Sequence, residues 1–145
     1  MKIAVTGSDG FIGRYLADYF KPIESEFDSE VVIHCLGRVP REGIEIKEFV
    51  ESNIMKTIEL VSRFKGRKII YLSSMSIYDS TPYGVSKLMG ELCVDEFKGE
   101  KIILRIPKIV EQDVPAAFIV NGGLHVAVTK PMGLKNLAEY IKGVL

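Results

Sequence analysis

The sequence predicts an α/β protein built on a doubly wound, mostly parallel sheet. Short apolar segments typical of strands alternate along the chain with longer amphipathic segments typical of helices. A glycine-rich turn joins the first strand to the first helix, and a hairpin signal and a last helix close the chain. The length of 145 residues favours one domain with a single core.

The composition excludes several classes of partner. Lys plus Arg and Asp plus Glu number 19 each, so the net charge is zero and no overall field would attract nucleic acid or an anionic membrane. No apolar run reaches the length of a membrane span, and no basic and apolar leader precedes the first strand. The two cysteines, Cys35 and Cys93, lack metal-ligand spacing, which favours a reduced, cytoplasmic protein.

Each predicted element follows from its local pattern. Strands are expected where short apolar runs meet turn residues, and helices where apolar residues recur at helical spacing. Pro22 marks the polar segment Lys21–Glu30 as a connection, Gly66 ends the second helix, and Pro82 lies near the first turn of the third. The predicted strands are Lys2–Val5, Val31–Cys35, Lys68–Leu72, Lys101–Ile106 and a hairpin of Ala117–Val120 with Leu124–Val128 around Asn121-Gly122-Gly123. The predicted helices are Phe11–Phe20, Ile44–Phe64, Tyr83–Phe97 and Leu134–Val144.

The turn after the first strand predicts a phosphate-binding loop. Gly7 allows the tight turn, Gly10 lets a pyrophosphate approach the backbone, and Gly13 permits close packing of helix on strand. The helix that starts at Phe11 and Ile12 offers free N–H groups and the positive end of its dipole, which stabilise an anion. The alternative is a glycine turn kept for packing alone.

Tyr83 and Lys87 form a candidate catalytic pair. They are four residues apart at the start of a predicted helix and therefore share a face. An ammonium close to the phenol would lower its pKa and prepare it to exchange a proton with an alcohol or a ketone. The segment Tyr71–Tyr78 supplies three serine hydroxyls that could hydrogen-bond the same oxygen. An exposed, solvated pair is the alternative interpretation.

Two strings resemble a known family. Thr6-Gly-Ser-Asp-Gly-Phe-Ile-Gly13 resembles the opening of extended short-chain dehydrogenases/reductases, the superfamily of the NAD-dependent epimerases and dehydratases. Tyr83-Gly-Val-Ser-Lys87-Leu-Met-Gly-Glu91 is similar to the Tyr-Gly-x-Ser-Lys-x-x-x-Glu signature of that superfamily, and the motifs are most like those of dTDP-4-dehydrorhamnose reductases. The resemblance implies a reduced Rossmann-like domain over residues 1–145, no separate substrate domain, and NAD or NADP as cofactor.

The resemblance also implies roles for particular residues. Ser74 would anchor the carbonyl, Tyr83 would be the general acid/base, and Lys87 would tune the tyrosine and hold the nicotinamide ribose. Asn53 matches the family's helix asparagine near the lysine, and the alternative for it is a polar residue on the rim of an amphipathic stripe. Leu36, after the second predicted strand, joins the glycine loop as a cofactor-binding residue.

Other polar residues are expected to be structural. By the same match Ser73 and Ser76 lie beside the catalytic hydroxyl without taking part. Met75 and Ser76 stand where sugar-nucleotide dehydratases carry acidic residues, which disfavours a dehydratase. His34 and His125 are interpreted as structural, because a lone histidine at a strand end more often satisfies backbone groups than reacts.

The sequence departs from the family in the half that would hold adenosine. The segment Lys21–Glu30 is too short for the two strands and the helix that family members place there. Asp28 and Glu30 are the only nearby carboxylates with a claim on the adenosine ribose, so the sequence does not separate NAD from NADP. Lys108 and Val110 replace the asparagine and the tyrosine of the family's strand exit, so a nucleotide sugar would lack part of its usual contacts.

Two surfaces are expected to be covered. Loss of two strands would leave Lys2–Val5 at a sheet edge, which proteins usually cover, and either Lys21–Glu30 or another subunit could do so. The helices Ile44–Phe64 and Tyr83–Phe97 match the pair through which the superfamily usually dimerises. The resemblance therefore implies a homodimer.

Three functions are compatible with these patterns. The first is an NAD(P)-dependent oxidoreductase or epimerase acting on a small carbonyl or sugar-nucleotide-derived substrate, favoured because Ser74, Tyr83 and Lys87 are all present. The second is a non-catalytic nucleotide-binding or regulatory module, favoured by the missing adenosine and substrate elements. The third is a subunit whose site is completed by a partner chain.

Overall fold

The computed structural model describes residues 1–107, 109–110, 118–121, 125–128 and 132–145, with the backbone alone for 110, 118–121 and 125–128. The strands are β1 (Ile3–Thr6), β2 (Val31–His34), β3 (Lys68–Ser74), β4 (Glu100–Ile106), β5 (Ile109–Val110), β6 (Phe118–Asn121), β7 (His125–Val128) and β8 (Met132–Gly133). The helices are α1 (Phe11–Phe20), α2 (Ile46–Phe49), α3 (Lys56–Arg63), α4 (Pro82–Asp95) and α5 (Leu134–Val144).

The main sheet has the strand order β1-β2-β3-β4-β7-β6. Neighbours from β1 to β7 pair in parallel, and β6 pairs antiparallel with β7. This confirms the predicted mostly parallel α/β fold and the hairpin strands, while the turn at Gly122 and Gly123 lies outside the described residues. The short parallel pair of β5 with β8 was not predicted, because two-residue strands leave no periodic signal.

Helices cover both faces of the sheet because the strands are buried on both faces. On one face Leu16 of α1 and Leu137 and Ile141 of α5 pack against Ile33 and Ile70. The other face packs against α3 and α4, and its cluster contains Val32, Leu60, Phe64, Ile69, Tyr71, Val94, Phe97 and Ile103. The sheet is therefore doubly wound, as predicted.

The second predicted helix is continuous but irregular. A π-helical segment, Val50–Met55, lies between α2 and α3. Such segments often occur at functional sites, and this one contains the fully buried Asn53. The third predicted helix begins at Pro82, because the Thr81 hydroxyl accepts a hydrogen bond from the Gly84 N–H at 3.1 Å and caps the helix there.

The connection between α1 and β2 covers part of the β1 edge. Strand β1 ends the sheet order, and the Ile23 N–H donates to the Ile3 carbonyl at 2.9 Å. The connection contains a short 3₁₀ helix, Glu26–Asp28, and both Ile23 and Phe27 pack against the core cluster that includes Ala4. These contacts agree with the expectation that Lys21–Glu30 shields this edge.

The site lies where the parallel strands end. The glycine loop follows β1, Leu36 follows β2, and β3 runs two residues further than predicted because Ser73 and Ser74 pair with Arg105 and Ile106. Among the described residues, no helix is long and apolar enough to cross a membrane.

Candidate active site

The glycine loop is packed so tightly that two of its glycines have no space for a side chain. Gly7 has a φ of +71°, and a Cβ there would lie 2.8 Å from the backbone of Leu36. A Cβ on Gly13 would lie 2.1 Å from the Gly7 carbonyl oxygen. At Gly10 the nearest atom would be 3.3 Å away. Gly7 thus occupies a turn that favours glycine, and Gly13 lets the start of α1 pack closely on the loop that follows β1.

The start of α1 opens onto a groove. Gly10 is the N-cap and carries no side chain, so the N–H groups of Phe11, Ile12 and Gly13 are not capped by it. These residues line a groove of about 420 Å³ together with Leu36. Backbone N–H groups and the positive helix end make this groove suitable for an anion such as a pyrophosphate.

Ser74 and Tyr83 lie together in a neighbouring cavity of about 460 Å³. Burial raises the pKa of Tyr83, and a hydrogen bond from the Ser74 hydroxyl acts in the opposite direction. The net direction is upward, because burial has the larger effect, so the lowered pKa that the sequence predicts from Lys87 is not the net result in the protein alone. Tyr83 is therefore a neutral phenol at physiological pH. The Ser74 Oγ also accepts the Ser76 N–H at 3.1 Å.

Lys87 extends from α4 beneath Tyr83 to the sheet. Its Nζ donates to the Leu72 carbonyl at 2.7 Å and lies 4.4 Å from the centroid of the Tyr71 ring. The side chain is buried, and burial lowers the pKa of Lys87 to about 8. The ammonium form therefore still predominates at neutral pH. Lys87 lines the same cavity as Ser74 and Tyr83, so the structure brings the three together.

Asn53 joins the loop after β2 to α4. Its Oδ1 accepts the Arg38 N–H at 2.7 Å, and its Nδ2 donates to the Arg38 carbonyl and to the Ser86 Oγ at 2.9 Å. A Cβ on Gly37 would lie 2.7 Å from the Asn53 Oδ1 and 3.9 Å from the Lys87 Nζ. Asn53 is thus near the lysine and buried, so the alternative of a rim position does not describe it.

His34 occupies the centre of a buried hydroxyl network. Its Nδ1 is 2.7 Å from the Thr6 Oγ1, its Nε2 is 3.0 Å from the Thr57 Oγ1, and its ring stacks on Tyr71. Burial lowers the pKa of His34 to about 3, so the ring is neutral. The partners are side-chain hydroxyls and not the backbone groups that the sequence-based interpretation named. The side chain of His125 lies outside what the structure describes.

A second buried network connects Ser73, which lines the cavity, to Glu91 and Arg105. Ser73 donates to the Glu91 Oε1 at 2.5 Å, and Arg105 donates to both carboxylate oxygens of Glu91. Arg105 also donates to the phenol oxygen of the exposed Tyr78 at 3.0 Å. Sequence reasoning quoted Glu91 within a motif but gave it no partner. Only the pairing of β3 with β4 brings Arg105 beside it.

Sequence reasoning missed part of the cavity wall. The loop after β2 contributes Cys35, Gly37, Arg38, Val39 and Pro40, which carry no recognisable motif. The wall opposite is formed by Ile106, Pro107 and Ile109 at the end of β4 and the start of β5. Lys108 lies outside the described residues, as does the side chain of Val110.

The carboxylates that sequence reasoning offered for the adenosine ribose are displaced from the groove. Glu30 accepts the Lys2 N–H at 2.7 Å, at the opposite end of β1 from the glycine loop. Asp28 is exposed and lines neither the groove nor the cavity. Neither of the two carboxylates with a claim on the adenosine ribose therefore lines the groove. In the described part of the chain, no cluster of three histidine, cysteine or acidic side chains could hold a metal ion.

A parallel α/β sheet with a glycine loop at its first helix and a Ser-Tyr-Lys cavity at its strand ends defines the class of short-chain dehydrogenase-type, Rossmann-like proteins. Residues 20–110, more than half of the chain, match the model of the NAD dependent epimerase/dehydratase family. The chain belongs to this family. No curated protein matches its sequence.

Solved structures share the fold. A UDP-glucuronic acid 4-epimerase from Bacillus cereus, in complex with NAD, is 25% identical over 75% of this chain and 56% of its own, with a TM-score of 0.62. A short-chain dehydrogenase/reductase superfamily protein from Agrobacterium tumefaciens with bound NAD is 18% identical over 78% of this chain and 50% of its own, with a TM-score of 0.66. The chain spans about half the length of these two relatives.

A third structure is nearer in length. A protein from Bacillus halodurans, provisionally assigned as an NAD-dependent epimerase/dehydratase, is 13% identical over 97% of this chain and 86% of its own. The TM-score is 0.77, and at this identity the likeness is one of fold alone. A short form of this fold therefore exists in another solved structure.

Proposed function

We propose that the protein is an NAD(P)-dependent oxidoreductase or epimerase of the short-chain dehydrogenase type. One observation carries the proposal: Ser74, Tyr83 and Lys87 line a single cavity, which shares Phe11 and Ile12 with the groove over the glycine loop. A substrate in the cavity would therefore contact a dinucleotide whose pyrophosphate lies on the start of α1.

The groove fits such a cofactor. The backbone of Gly10 through Gly13 lines it, Gly10 leaves its surface without a side chain, and Leu36 closes it on the side of β2. When bound, a nicotinamide dinucleotide supplies or accepts the hydride. Lys87 lines the cavity with Tyr83 and could donate from there to the nicotinamide ribose.

Tyr83 would transfer the proton that accompanies the hydride. Because burial raises its pKa, the phenol is protonated at neutral pH and can donate to a carbonyl oxygen as that oxygen becomes a hydroxyl. In the oxidative direction the phenolate accepts the same proton. The Ser74 hydroxyl would donate to the substrate oxygen and fix its position, and the Lys87 ammonium would stabilise the phenolate as it forms.

The substrate class we propose is a small carbonyl compound or a derivative of a sugar nucleotide. The cavity volume of about 460 Å³ lies within the range usual for small-molecule sites. The UDP-glucuronic acid 4-epimerase among the similar structures supports the sugar-nucleotide class. Met75 and Ser76 lack the acid/base groups of a dehydratase, so we propose a reduction or an epimerisation.

The test is hydride transfer measured with the purified protein. NADH or NADPH absorbance would be followed with a panel of carbonyl compounds and UDP- and dTDP-linked ketosugars, and sugar epimers would be separated by chromatography. We expect Tyr83→Phe to lower kcat by about a hundredfold or more, the usual contribution of a general acid/base, while NAD affinity is retained.

Tyr19→Phe is the matched control, because Tyr19 is an exposed tyrosine of α1 that lines neither the groove nor the cavity. We expect its turnover to equal that of the wild type. Equal turnover of wild type and Tyr83→Phe would overturn the proposal. Dinucleotide binding with no turnover on any substrate would favour the non-catalytic module instead.

We also propose that the active form is a homodimer in the cytoplasm. Apolar side chains are exposed along α4 and along the segment from α2 to α3, and such a continuous face usually marks an interface. The exposed residues are Ile46, Val50, Met55, Ile58, Val85, Leu88, Met89 and Leu92. A reducing compartment is supported by Cys35 and Cys93, which are both free.

A further inference from the structure

Tyr71 is a fully buried residue of β3 whose ring lies against the lysine of the candidate catalytic pair. The Lys87 Nζ lies over this ring, 4.4 Å from its centroid. A cation within about 6 Å of the centroid is attracted by the negative face of an aromatic ring, and the attraction is stronger where both groups are buried. Tyr71 itself does not line the cavity, so it can act on the site through Lys87 but would not contact a substrate there.

The Lys87 ammonium has few hydrogen-bond partners for a buried charge. It carries three N–H donors, and within the described residues one acceptor, the Leu72 carbonyl at 2.7 Å, takes a hydrogen bond from it. A charge is costly to bury unless neighbouring groups stabilise it. The face of the Tyr71 ring is therefore well placed to supply part of the stabilisation that this ammonium needs.

The carboxylate of Glu91 also favours the charged form of Lys87. Burial lowers the pKa of Lys87 to about 8, and the charge of Glu91 acts in the opposite direction. The oxygens of this carboxylate accept hydrogen bonds from Ser73 and Arg105. The negative charge of Glu91 is therefore shared between the arginine, which binds it directly, and the lysine.

The other titratable groups that act on Lys87 in the described residues are neutral at physiological pH. Burial raises the pKa of Cys35 and of Tyr83, and it lowers the pKa of His34 to about 3. A neutral thiol, phenol and imidazole bring no charge that could hold an ammonium. An aromatic face attracts a cation without carrying a charge itself, which is what the Tyr71 ring offers here.

The Tyr71 ring is held in place by its neighbours. The His34 ring stacks on it, with the two centroids 5.6 Å apart. On α4, a Cβ at Gly90 would clash with the Tyr71 phenol oxygen. Glycine is unfavourable inside a helix, and its presence one turn after Lys87 is explained by the space that the Tyr71 ring requires.

We infer that Tyr71 is the positioning residue of Lys87: the face of its ring stabilises the buried ammonium and holds it at the wall of the cavity that contains Tyr83. The inference rests on the proposed function, in which this ammonium stabilises the Tyr83 phenolate as it forms. Without the ring face the neutral amine is favoured over the ammonium, and a neutral amine cannot stabilise a phenolate.

The test is the pKa of Lys87 in a series of proteins whose ring at position 71 loses π-electron density step by step. Tyr71→Phe is the parent, and phenylalanines with one, two or three ring fluorines then take its place as unnatural amino acids. Fluorine weakens the negative face of a ring but changes its size little, so the packing is nearly constant along the series. Lysine labelled with ¹³C at Cε reports the titration by NMR, and the Lys87 signal is the one that Lys87→Gln removes.

We expect the pKa of Lys87 to stay at about 8 in Tyr71→Phe, because the ring face is retained. It should then fall with each added fluorine, by about one pH unit over the series, which is a tenfold loss of ammonium relative to amine. Trifluorophenylalanine at Phe64 is the matched control. Phe64 is a buried ring of the same core cluster that packs on Phe97, and fluorination there should leave the pKa of Lys87 unchanged. Urea unfolding of each variant confirms that it is folded.

The same series connects the ring to turnover. The rate of carbonyl reduction is followed from about pH 6 to about pH 10 with the substrate found for the wild type. We expect the decline of kcat on the alkaline side to move to lower pH by the same amount as the pKa of Lys87 measured by NMR, because the ammonium is the form that stabilises the phenolate. A change in packing alone would lower kcat at every pH without moving this decline.

The outcomes separate this inference from the proposed catalysis, because the NMR titration needs no substrate. An equal pKa of Lys87 in Tyr71→Phe and in the trifluorinated protein, or an equal fall in the Phe64 control, would overturn the inference even in an active enzyme. A stepwise fall in a protein whose turnover does not depend on Tyr83 would support the hold of the ring on Lys87 and overturn only the catalytic proposal. An alkaline decline that stays in place while the pKa falls would overturn the link between Tyr71 and turnover.

Discussion

The carboxylate of Glu91 and the guanidinium of Arg105 form a bidentate ion pair that joins α4 to β4. The Arg105 Nη2 donates to the Glu91 Oε2 at 2.8 Å, and its Nε donates to the Glu91 Oε1 at 3.0 Å. Glu91 is only 2% exposed, and it also accepts the Ser73 hydroxyl. The pair therefore fixes the helix that carries Tyr83 and Lys87 relative to the strands that end at Ser74.

We expect the loss of one partner of this pair to cost more than the loss of both. Glu91→Leu leaves the guanidinium of Arg105 largely buried without its carboxylate, and the free energy of unfolding should fall by about 3–5 kcal/mol. Glu91→Leu combined with Arg105→Met should recover most of this loss. Urea unfolding of the single and double variants measures the coupling. If the double variant lost the sum of the free energies lost by the two single variants, the predicted coupling between Glu91 and Arg105 would be contradicted.

The buried imidazole of His34 predicts acid sensitivity. Because burial lowers its folded-state pKa to about 3 from an ordinary value of about 6.5, the unfolded chain binds a proton between these pH values and the folded protein does not. Stability contributed by the neutral ring is therefore present above pH ~6.5. Below that pH the free energy of unfolding falls by about 1.4 kcal/mol for each pH unit because of this one group.

The comparison is between wild type and His34→Gln, which keeps a polar side chain between Thr6 and Thr57 but cannot titrate. The difference in unfolding free energy should shrink steadily as the pH is lowered from about 7 to about 4.5. Parallel pH profiles for the two proteins would show that His34 is not the group responsible.

Two glycine-to-alanine substitutions should change the free energy of unfolding in opposite directions. In Gly13→Ala the new Cβ would lie 2.1 Å from the Gly7 carbonyl oxygen, so the loop must move and the protein should lose about 2 kcal/mol or more along with NAD affinity. In Gly143→Ala, within α5, the Cβ would meet nothing within 4 Å. That variant should be up to about 1 kcal/mol more stable because alanine favours a helix.

Thermal unfolding and NAD titration of both variants test whether the glycine loop binds the cofactor and needs a glycine at position 13. A Gly13→Ala protein with wild-type stability would mean that the turn can relax away from α1. Loss of NAD binding in Gly143→Ala would indicate a general defect, since this position is remote from the groove.

A charge on the exposed apolar face of α4 should separate the proposed dimer. The wild type is expected to elute at twice the 16.2 kDa of one chain in size-exclusion chromatography with light scattering. Leu92→Lys, at a leucine that is 54% exposed, should shift the protein to the monomer because a buried lysine in the interface costs several kcal/mol. Tyr19→Lys, on α1 across the sheet, is the matched control. A monomeric wild type would refute the dimer.

Local signals were enough to predict most of the fold. The bounds of α1 and α5 agree with the sequence-based ranges because Gly10 and Gly133 stand directly before them. Strand β3 was predicted two residues too short because Ser73 and Ser74 are poor strand formers by themselves. Their pairing with β4 overrides that preference.

The residues of the candidate site could be predicted from the sequence, but their hydrogen-bond partners could not. Ser74, Tyr83 and Lys87 belong to motifs, and the structure brings them into one cavity. The hydrogen-bond partners of the site residues lie outside these motifs: the Leu72 carbonyl accepts from Lys87, and the Arg38 N–H donates to Asn53. The direction in which the pKa of Tyr83 is shifted also depends on burial. The spacing of four residues between Tyr83 and Lys87 gives no information about burial.

The hydrogen bond from Ile23 to Ile3 has a consequence for how this chain relates to its longer relatives. A strand inserted after α1 would need the outer side of β1, where the Ile3 carbonyl is already occupied. Re-lengthening the connection would therefore mean releasing Ile23 and Phe27 from the core before a new strand could gain any contact. A longer connection would therefore leave the β1 edge open until the added segment paired with it, so the length of these ten residues is coupled to the closure of the sheet.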